Sequence, residues 1–205
     1  MSKPFSEACE RNREPILAVL RDAFAGSRAV LEIGAGTGQH AVYFAQHLPH
    51  LVWQPTDRAV HLPGIRAWCD EAALQNLLPP RALDVMQAGW GMANAQAFDA
   101  VFTANTLHIM SWAAMEAFFA GMGRVLPSGG VLAVYGPFNI DGRYTAPSNA
   151  QFDAWLKARD PQSGIRDREA VDALGQREGL IRTGDHAMPA NNRLVVWRRK
   201  SAPHG

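Results

Sequence analysis

Apolar positions along the chain fall alternately into helical stripes and short continuous runs. Ile16, Leu17, Leu20 and Phe24 recur at helical spacing; Pro15 suits the first turn of that helix and Gly26 stops it. Residues 29–33 (Ala-Val-Leu-Glu-Ile) then read as a short buried strand running into Gly34-Ala35-Gly36-Thr37-Gly38. A helix follows with Ala41, Phe44, Ala45 and Leu48 on one face and Pro49 at its end. Residues 51–53 predict a second strand, and Leu62, Ile65, Trp68 and Ala72 a further helix. Residues 81–85 and 97–104 predict the third and fourth strands.

The second half repeats the alternation. Ser111 is placed to cap a helix whose apolar stripe is Met115, Phe118, Phe119 and Met122. A turn at 127–130 leads into a fifth strand at 131–135, and residues 148–151 match a capping box ahead of Phe152, Trp155 and Leu156. A helix is predicted at 168–178, with Gly179 just past its end. Residues 180–186 and 193–198 flank Met188-Pro189-Ala190-Asn191-Asn192 and predict an antiparallel strand pair.

Strands that alternate with helices require crossover connections, so the sheet is expected to be mostly parallel with helices on both faces. The fold class is therefore α/β: a doubly wound, seven-stranded, mostly parallel sheet closed by an antiparallel pair. No repeat or linker divides the 205 residues, which read as one domain. Composition adds exclusions. Twenty basic against nineteen acidic residues, a net charge of +1, give no electrostatic footprint for nucleic acid. No run approaches the roughly 18 apolar residues of a membrane span, and the first residues lack the apolar core of a signal peptide. Two cysteines, Cys9 and Cys69, point to a reduced cytoplasmic setting rather than a disulfide scaffold. Monomer and homodimer both remain open.

In a doubly wound sheet, ligands bind beyond the carboxyl ends of the strands. Gly34, Gly36 and Gly38 stand at the first such end, where missing Cβ atoms let a ligand approach and positive φ is cheap. The spacing is G-x-G-x-G. The dinucleotide fingerprint needs glycine at position 39, which is Gln39, and this weighs against a nicotinamide-dependent oxidoreductase. Asp57 ends the second strand, where a carboxylate suits a ribose diol, and Asp84 ends the third, where it could meet an adenine amino group.

Five pieces in this order resemble the class I S-adenosylmethionine (SAM) dependent methyltransferases: residues 30–38 (VLEIGAGTG), Asp57, residues 83–85 (LDV), residues 98–109 (FDAVFTANTLHI) and residues 126–136 (LPSGGVLAVYG). The resemblance implies a SAM pocket lined by Glu32, Gly34, Ala35, Gly36 and Gly38, with Asp57 on the ribose and Asp84 and Val85 on the adenine. A narrower resemblance runs through ERNREPIL (10–17), WQPTD (53–57), SNAQFD (148–153), GIRD (164–167) and MPANN (188–192). It is to a small methyltransferase-like family of unknown function with bacterial and animal members. On this reading residues 1–25 form an N-terminal helix and lid, 28–138 the cofactor core, and 139–205 the substrate side.

The methyl group of SAM is already activated, so the protein supplies orientation and a dry pocket, plus a base only if the acceptor arrives protonated. His108 titrates in the useful range and is the candidate base, against packing at a helix start. Asn105 could hold the methionine portion of SAM or only a turn. Arg11 suits its carboxylate through a bidentate contact, against an exposed helix-end charge. Tyr135, Asn139, Arg166, Asn191 and Asn192 are candidates for the substrate side; for the loop residues among them, turn chemistry is the alternative. His47 and His50 lie too close to Pro49, with no clustered carboxylate, to suggest a metal. The expected activity is methyl transfer to a small molecule, with a non-catalytic SAM-binding module as the alternative.

Overall fold

A computed structural model of the chain describes residues 3–91 and 98–200. Seven strands form the main sheet: β1 (Ala29–Ile33), β2 (Val52–Asp57), β3 (Arg81–Ala82), β4 (Ala100–Ala104), β5 (Val131–Gly136), β8 (Leu180–Met188) and β9 (Asn192–Arg199). Their order is β3-β2-β1-β4-β5-β9-β8, and every pair is parallel except β5 with β9 and β9 with β8. The expected doubly wound sheet with a closing antiparallel pair is what forms. Of the predicted fourth strand, Ala97 alone lies outside the described residues.

Each crossover buries one face of a helix against this sheet. Helices α1 (Glu7–Ala23), α2 (Gln39–His47) and α3 (Leu62–Ala72) cover one side, where Ile16, Leu20, Phe44, Ile65 and Trp53 are fully buried. Helices α4 (Trp112–Val125) and α6 (Arg168–Arg177) cover the other over Leu31, Val101, Leu132 and Trp197. Alternation along β5 shows the two-sided burial: Val131, Ala133 and Tyr135 join the first layer, Leu132 and Val134 the second. Ser111 caps α4 as expected, its hydroxyl accepting from the Ala114 amide.

Three local expectations fail for physical reasons. Pro15 does not open α1. The helix starts eight residues earlier behind Ser6, whose hydroxyl accepts from the Cys9 amide, and Pro15 sits inside it. The matched capping box does not cap α5 (Pro147–Arg159): Ser148 lies within the helix and Ala146 holds the cap position. The third strand shrinks to two residues because Asp84 turns the chain, accepting from the Met86 amide. A two-stranded parallel sheet, β6 (Phe138–Asn139) with β7 (Arg166–Asp167), was not foreseen. It stands just past the end of β5.

Candidate functional site

The order β3-β2-β1-β4 puts the switch in winding direction between β1 and β4, and there the loops diverge to leave a crevice. A cavity of about 620 Å³ opens at this end of the sheet. The glycine turn forms its floor, Asp57 and Arg58 one side, Leu83 to Met86 another, and the turn after β4 with the start of α4 a third. Ser6 at the cap of α1, Cys9 from α1 and His40 from α2 complete it.

The three glycines have three different reasons. Gly34 has φ 75°, and a Cβ there would lie 2.7 Å from the Thr106 hydroxyl. Gly38, expected at the cofactor, has φ 91° and does not line the cavity; a Cβ there would come within 3.0 Å of the Ile65 Cα. Gly36, at φ 60°, faces open space, so it is the position that leaves room for a ligand. Backbone bonds fix the turn: the Gly34 and Ala35 amides donate to the Thr56 carbonyl, at 2.9 and 3.0 Å. The Gly36 amide donates to Asp57 Oδ2 at 2.8 Å, and the Arg58 amide to Oδ1 at 2.7 Å. Asp57 is therefore held at the pocket edge with lone pairs left to accept more hydrogen bonds.

Among the expected cofactor residues, Gly34, Ala35, Gly36, Asp57, Asp84, Val85 and Asn105 all line the cavity. Asn105 takes φ 55°, its amide donating to the Tyr135 carbonyl, so it is a turn residue that also faces the cavity. Glu32 does not line it. The carboxyl lies behind the turn, 2 % exposed, and accepts from the Trp53 indole N–H at 2.8 Å. Burial pushes its pKa up to about 8, with nearby Asp57 adding to the rise. Arg11 is a further correction: it is exposed on α1 and pairs with Glu7 at 3.2 Å, away from the cavity. The early start of α1 turns it outward.

None of the residues expected on the substrate side lines the cavity. The chain after β4 folds so tightly that the Ile109 and Met110 amides both donate to the Thr106 carbonyl. This aims Thr106, Ile109 and Met110 into the cavity and leaves Leu107 and His108 out of it. His108 packs edge-on against Phe152, ring centroids 5.3 Å apart, and its carbonyl accepts from the Gly164 amide. Burial, aided by nearby Arg166, lowers its pKa to about 4. The packing alternative wins for His108.

Tyr135 joins the buried layer on the α1 face, near Asn12 and Asn192. Arg166 donates to the Met110 and Gln162 carbonyls and so braces the loop behind the cavity wall. Asn139 sits in β6 with its Oδ1 buried and unbonded. Asn191 donates to the Ser148 hydroxyl and Asn192 to the Pro189 carbonyl, which is hairpin-tip chemistry.

Residues the sequence reasoning missed come mainly from the start of α1 and from α2. His40, one turn past Gly36, is buried, stacks on Phe44 at 5.2 Å and has Nε2 2.7 Å from Asn12 Oδ1. Burial lowers the His40 pKa to about 4, so the ring is neutral near pH 7. Cys9 is half-buried and its thiol pKa is raised by that burial. With a helix expected to begin at Pro15, nothing in the sequence signals that Cys9 reaches the cavity. Among the described residues no cluster of three or more metal-ligating side chains occurs.

The fold and the crevice at its switch point define a Rossmann-like methyltransferase fold, and solved structures agree. S-adenosylmethionine-dependent methyltransferase SibL, in its apo form, superposes with a TM-score of 0.78 at 23 % identity over 95 % of this chain. An O-methyltransferase family 2 protein from Planctomyces limnophilus, in complex with apigenin, gives 0.80 at 16 % identity over 94 %. Human N-acetylserotonin methyltransferase in complex with SAM gives 0.78 at 13 % over 95 %. The chain spans little more than half of those chains: 56, 57 and 53 % of their lengths. By sequence, residues 3–199 match the family described as protein of unknown function (DUF938), and the chain belongs to that family.

Proposed function

We propose that the protein is a SAM-dependent methyltransferase acting on a small molecule. The observation that carries this reading is the cavity itself: an open Gly36, Asp57 fixed at its edge, and an apolar slot beside Asp84. The residues fit the cofactor one by one. Asp57 would accept from the ribose hydroxyls with the lone pairs that Gly36 and Arg58 leave free. Leu83, Val85, Met86, Ile109 and Ala114 would sandwich the adenine, and Asp84 or Asn105 would meet its polar edge. The left-handed turn at Gly36 would let the methionine portion lie on the backbone. SAM, when bound, supplies a methyl group on a sulfonium that needs no activation by the protein.

What the chain contributes is orientation and dryness. Apolar walls and the first turn of α1 keep water from the reacting atoms, and in-line displacement gains most from such fixed geometry. His40 is the neutral imidazole on the cavity wall, so a proton-bearing acceptor would find its base there rather than at His108. The confined, mostly apolar cavity and the near-neutral charge favour a small acceptor over nucleic acid. The likeness to an O-methyltransferase family 2 protein in complex with apigenin supports the same acceptor class.

The test is transfer of labelled methyl from SAM to the small-molecule fraction of a cell extract, with the Asp57→Ala protein as control. Label in a discrete small product, absent from the control, is expected. Tight SAM binding with no labelled product from any fraction would replace this reading with a non-catalytic SAM-binding module.

A further inference from the structure

The first turns of α1 form one wall of the cavity, yet no side chain there enters the core; the one apolar contact of note is the Pro4 ring against Gly64. Between Lys3 and Arg11 no residue is buried, and Phe5 is exposed. From Asn12 onward the helix is fixed: Asn12 is buried against His40 and Tyr135, and Ile16, Leu17, Leu20 and Phe24 enter the core. Pro15 marks the division. It has no N–H, so the Arg11 carbonyl lacks its helical partner at the step between the loose and the fixed parts.

The loose part is held by polar contacts that converge on one side chain, Gln39. Its Oε1 accepts from the Ser6 amide at 2.6 Å and from the Thr37 hydroxyl at 3.0 Å. Its Nε2 donates to Glu10 Oε1 at 2.7 Å and to the Ser6 carbonyl at 3.4 Å. A strap completes the fastening: the Trp68 indole donates to the Pro4 carbonyl at 2.7 Å, and Lys3 lies 3.7 Å from the centre of that ring while pairing with Glu71. Gln39 stands directly after Gly38, so one residue ties the cavity floor to the wall above it.

We infer that residues 3–11 are a lid hinged at Arg11, whose carbonyl Pro15 leaves without its helical partner, and latched by Gln39, a positioning residue that controls entry to and exit from the cavity. Polar contacts of this kind are individually weak once competition from water is counted, whereas the buried apolar half of α1 is far costlier to detach. Opening is therefore local, with the rest of the fold intact. The inference rests on the reading of the cavity as a cofactor site only for what passes the lid.

Cys9 is a built-in reporter, since it is carried on the lid and lines the cavity. Alkylation by iodoacetamide is followed at Cys9 and Cys69 separately by peptide mass spectrometry in the full chain. Gln39→Ala is expected to speed Cys9 alkylation about tenfold, the effect of losing one or two such bonds, with Cys69 unchanged. Gln39→Glu sets a carboxylate against Glu10 and is expected to do the same. Adding Glu10→Gln returns a donor to that pair and restores the slow rate. Pro15→Ala, which returns the N–H to the Arg11 carbonyl, is expected to slow alkylation below wild type.

Cys9 rates unchanged in both Gln39 variants would overturn the lid, as would an equal rise at Cys69 or a double variant no slower than Gln39→Glu. An unchanged rate in Pro15→Ala would overturn the hinge. Protection of Cys9 by added S-adenosylhomocysteine tests the cofactor reading separately. Faster alkylation in the Gln39 variants without such protection would uphold the lid and sink the cofactor assignment.

Discussion

Glu32→Gln probes the buried carboxyl beneath the glycine turn. Folding keeps a proton on Glu32 up to about pH 8, whereas the unfolded chain gives it up near 4.5. The folded state binds the extra proton between those values, so this contribution is complete below 4.5 and is lost as pH rises through about 8. The whole displacement corresponds to about 5 kcal/mol, at about 1.4 kcal/mol per pH unit. His40 and His108 act in the opposite sense: both are held neutral down to about pH 4 against an ordinary 6.5. Their contribution is complete above 6.5 and lost as pH falls toward 4. Two histidines outweigh one carboxyl below 6.5, and Glu32 alone acts above it, so stability peaks near pH 6.5.

Glutamine keeps an acceptor for the Trp53 indole and removes the titration. From pH 6.5 to 8 the wild type should lose about 2 kcal/mol that the variant keeps. For a chain of this length that is about 4–8 °C in Tm. Thermal melts of both proteins at half-unit pH intervals measure it. Parallel curves, with no widening gap above pH 6.5, would refute the placement of a protonated carboxyl behind the turn.

Other substitutions test neighbouring claims. Asp57→Ala strands the Gly36 amide and removes the proposed diol acceptor, so SAM affinity should fall by about 1–3 kcal/mol in calorimetry; an unchanged Kd would move the cofactor elsewhere. Arg11→Ala should leave SAM affinity within error, because the guanidinium points to solvent beside Glu7; a tenfold loss would contradict that placement. Gly121→Ala would put a Cβ 1.7 Å from the buried Trp90 ring, and urea unfolding should show a loss of about 1–3 kcal/mol despite the better helix propensity of alanine.

What could be read from the sequence was local. Residues 29–38 combine a continuous apolar run with glycines at fixed offsets, and β1, the turn and α2 formed there as expected. The stripe behind Ser111 likewise specified α4 and its cap. Errors arose where a local signal competed with a distant contact. Pro15 reads as a helix start, but Ser6, Glu7 and Glu10 supply a better one, and Gln39 docks it from across the cavity. Moving that start placed Cys9 at the site and turned Arg11 away from it. His108 carries the right chemistry at the right strand end, yet the hydrogen bonds to the Thr106 carbonyl rotate it behind the wall. β6 and β7 are two residues each, joined only through tertiary structure, and carry no periodicity to read. Asp57 and Asp84 were legible because strand ends in this topology converge whatever the loops do.

The central claim is that the crevice beyond β1, β2 and β4 holds SAM. Isothermal titration of the purified protein with SAM and, separately, with S-adenosylhomocysteine tests it most directly. The account predicts saturable binding of both at one site per chain, weakened by Asp57→Ala and unaffected by Arg11→Ala. No binding of either ligand to the folded protein would contradict it.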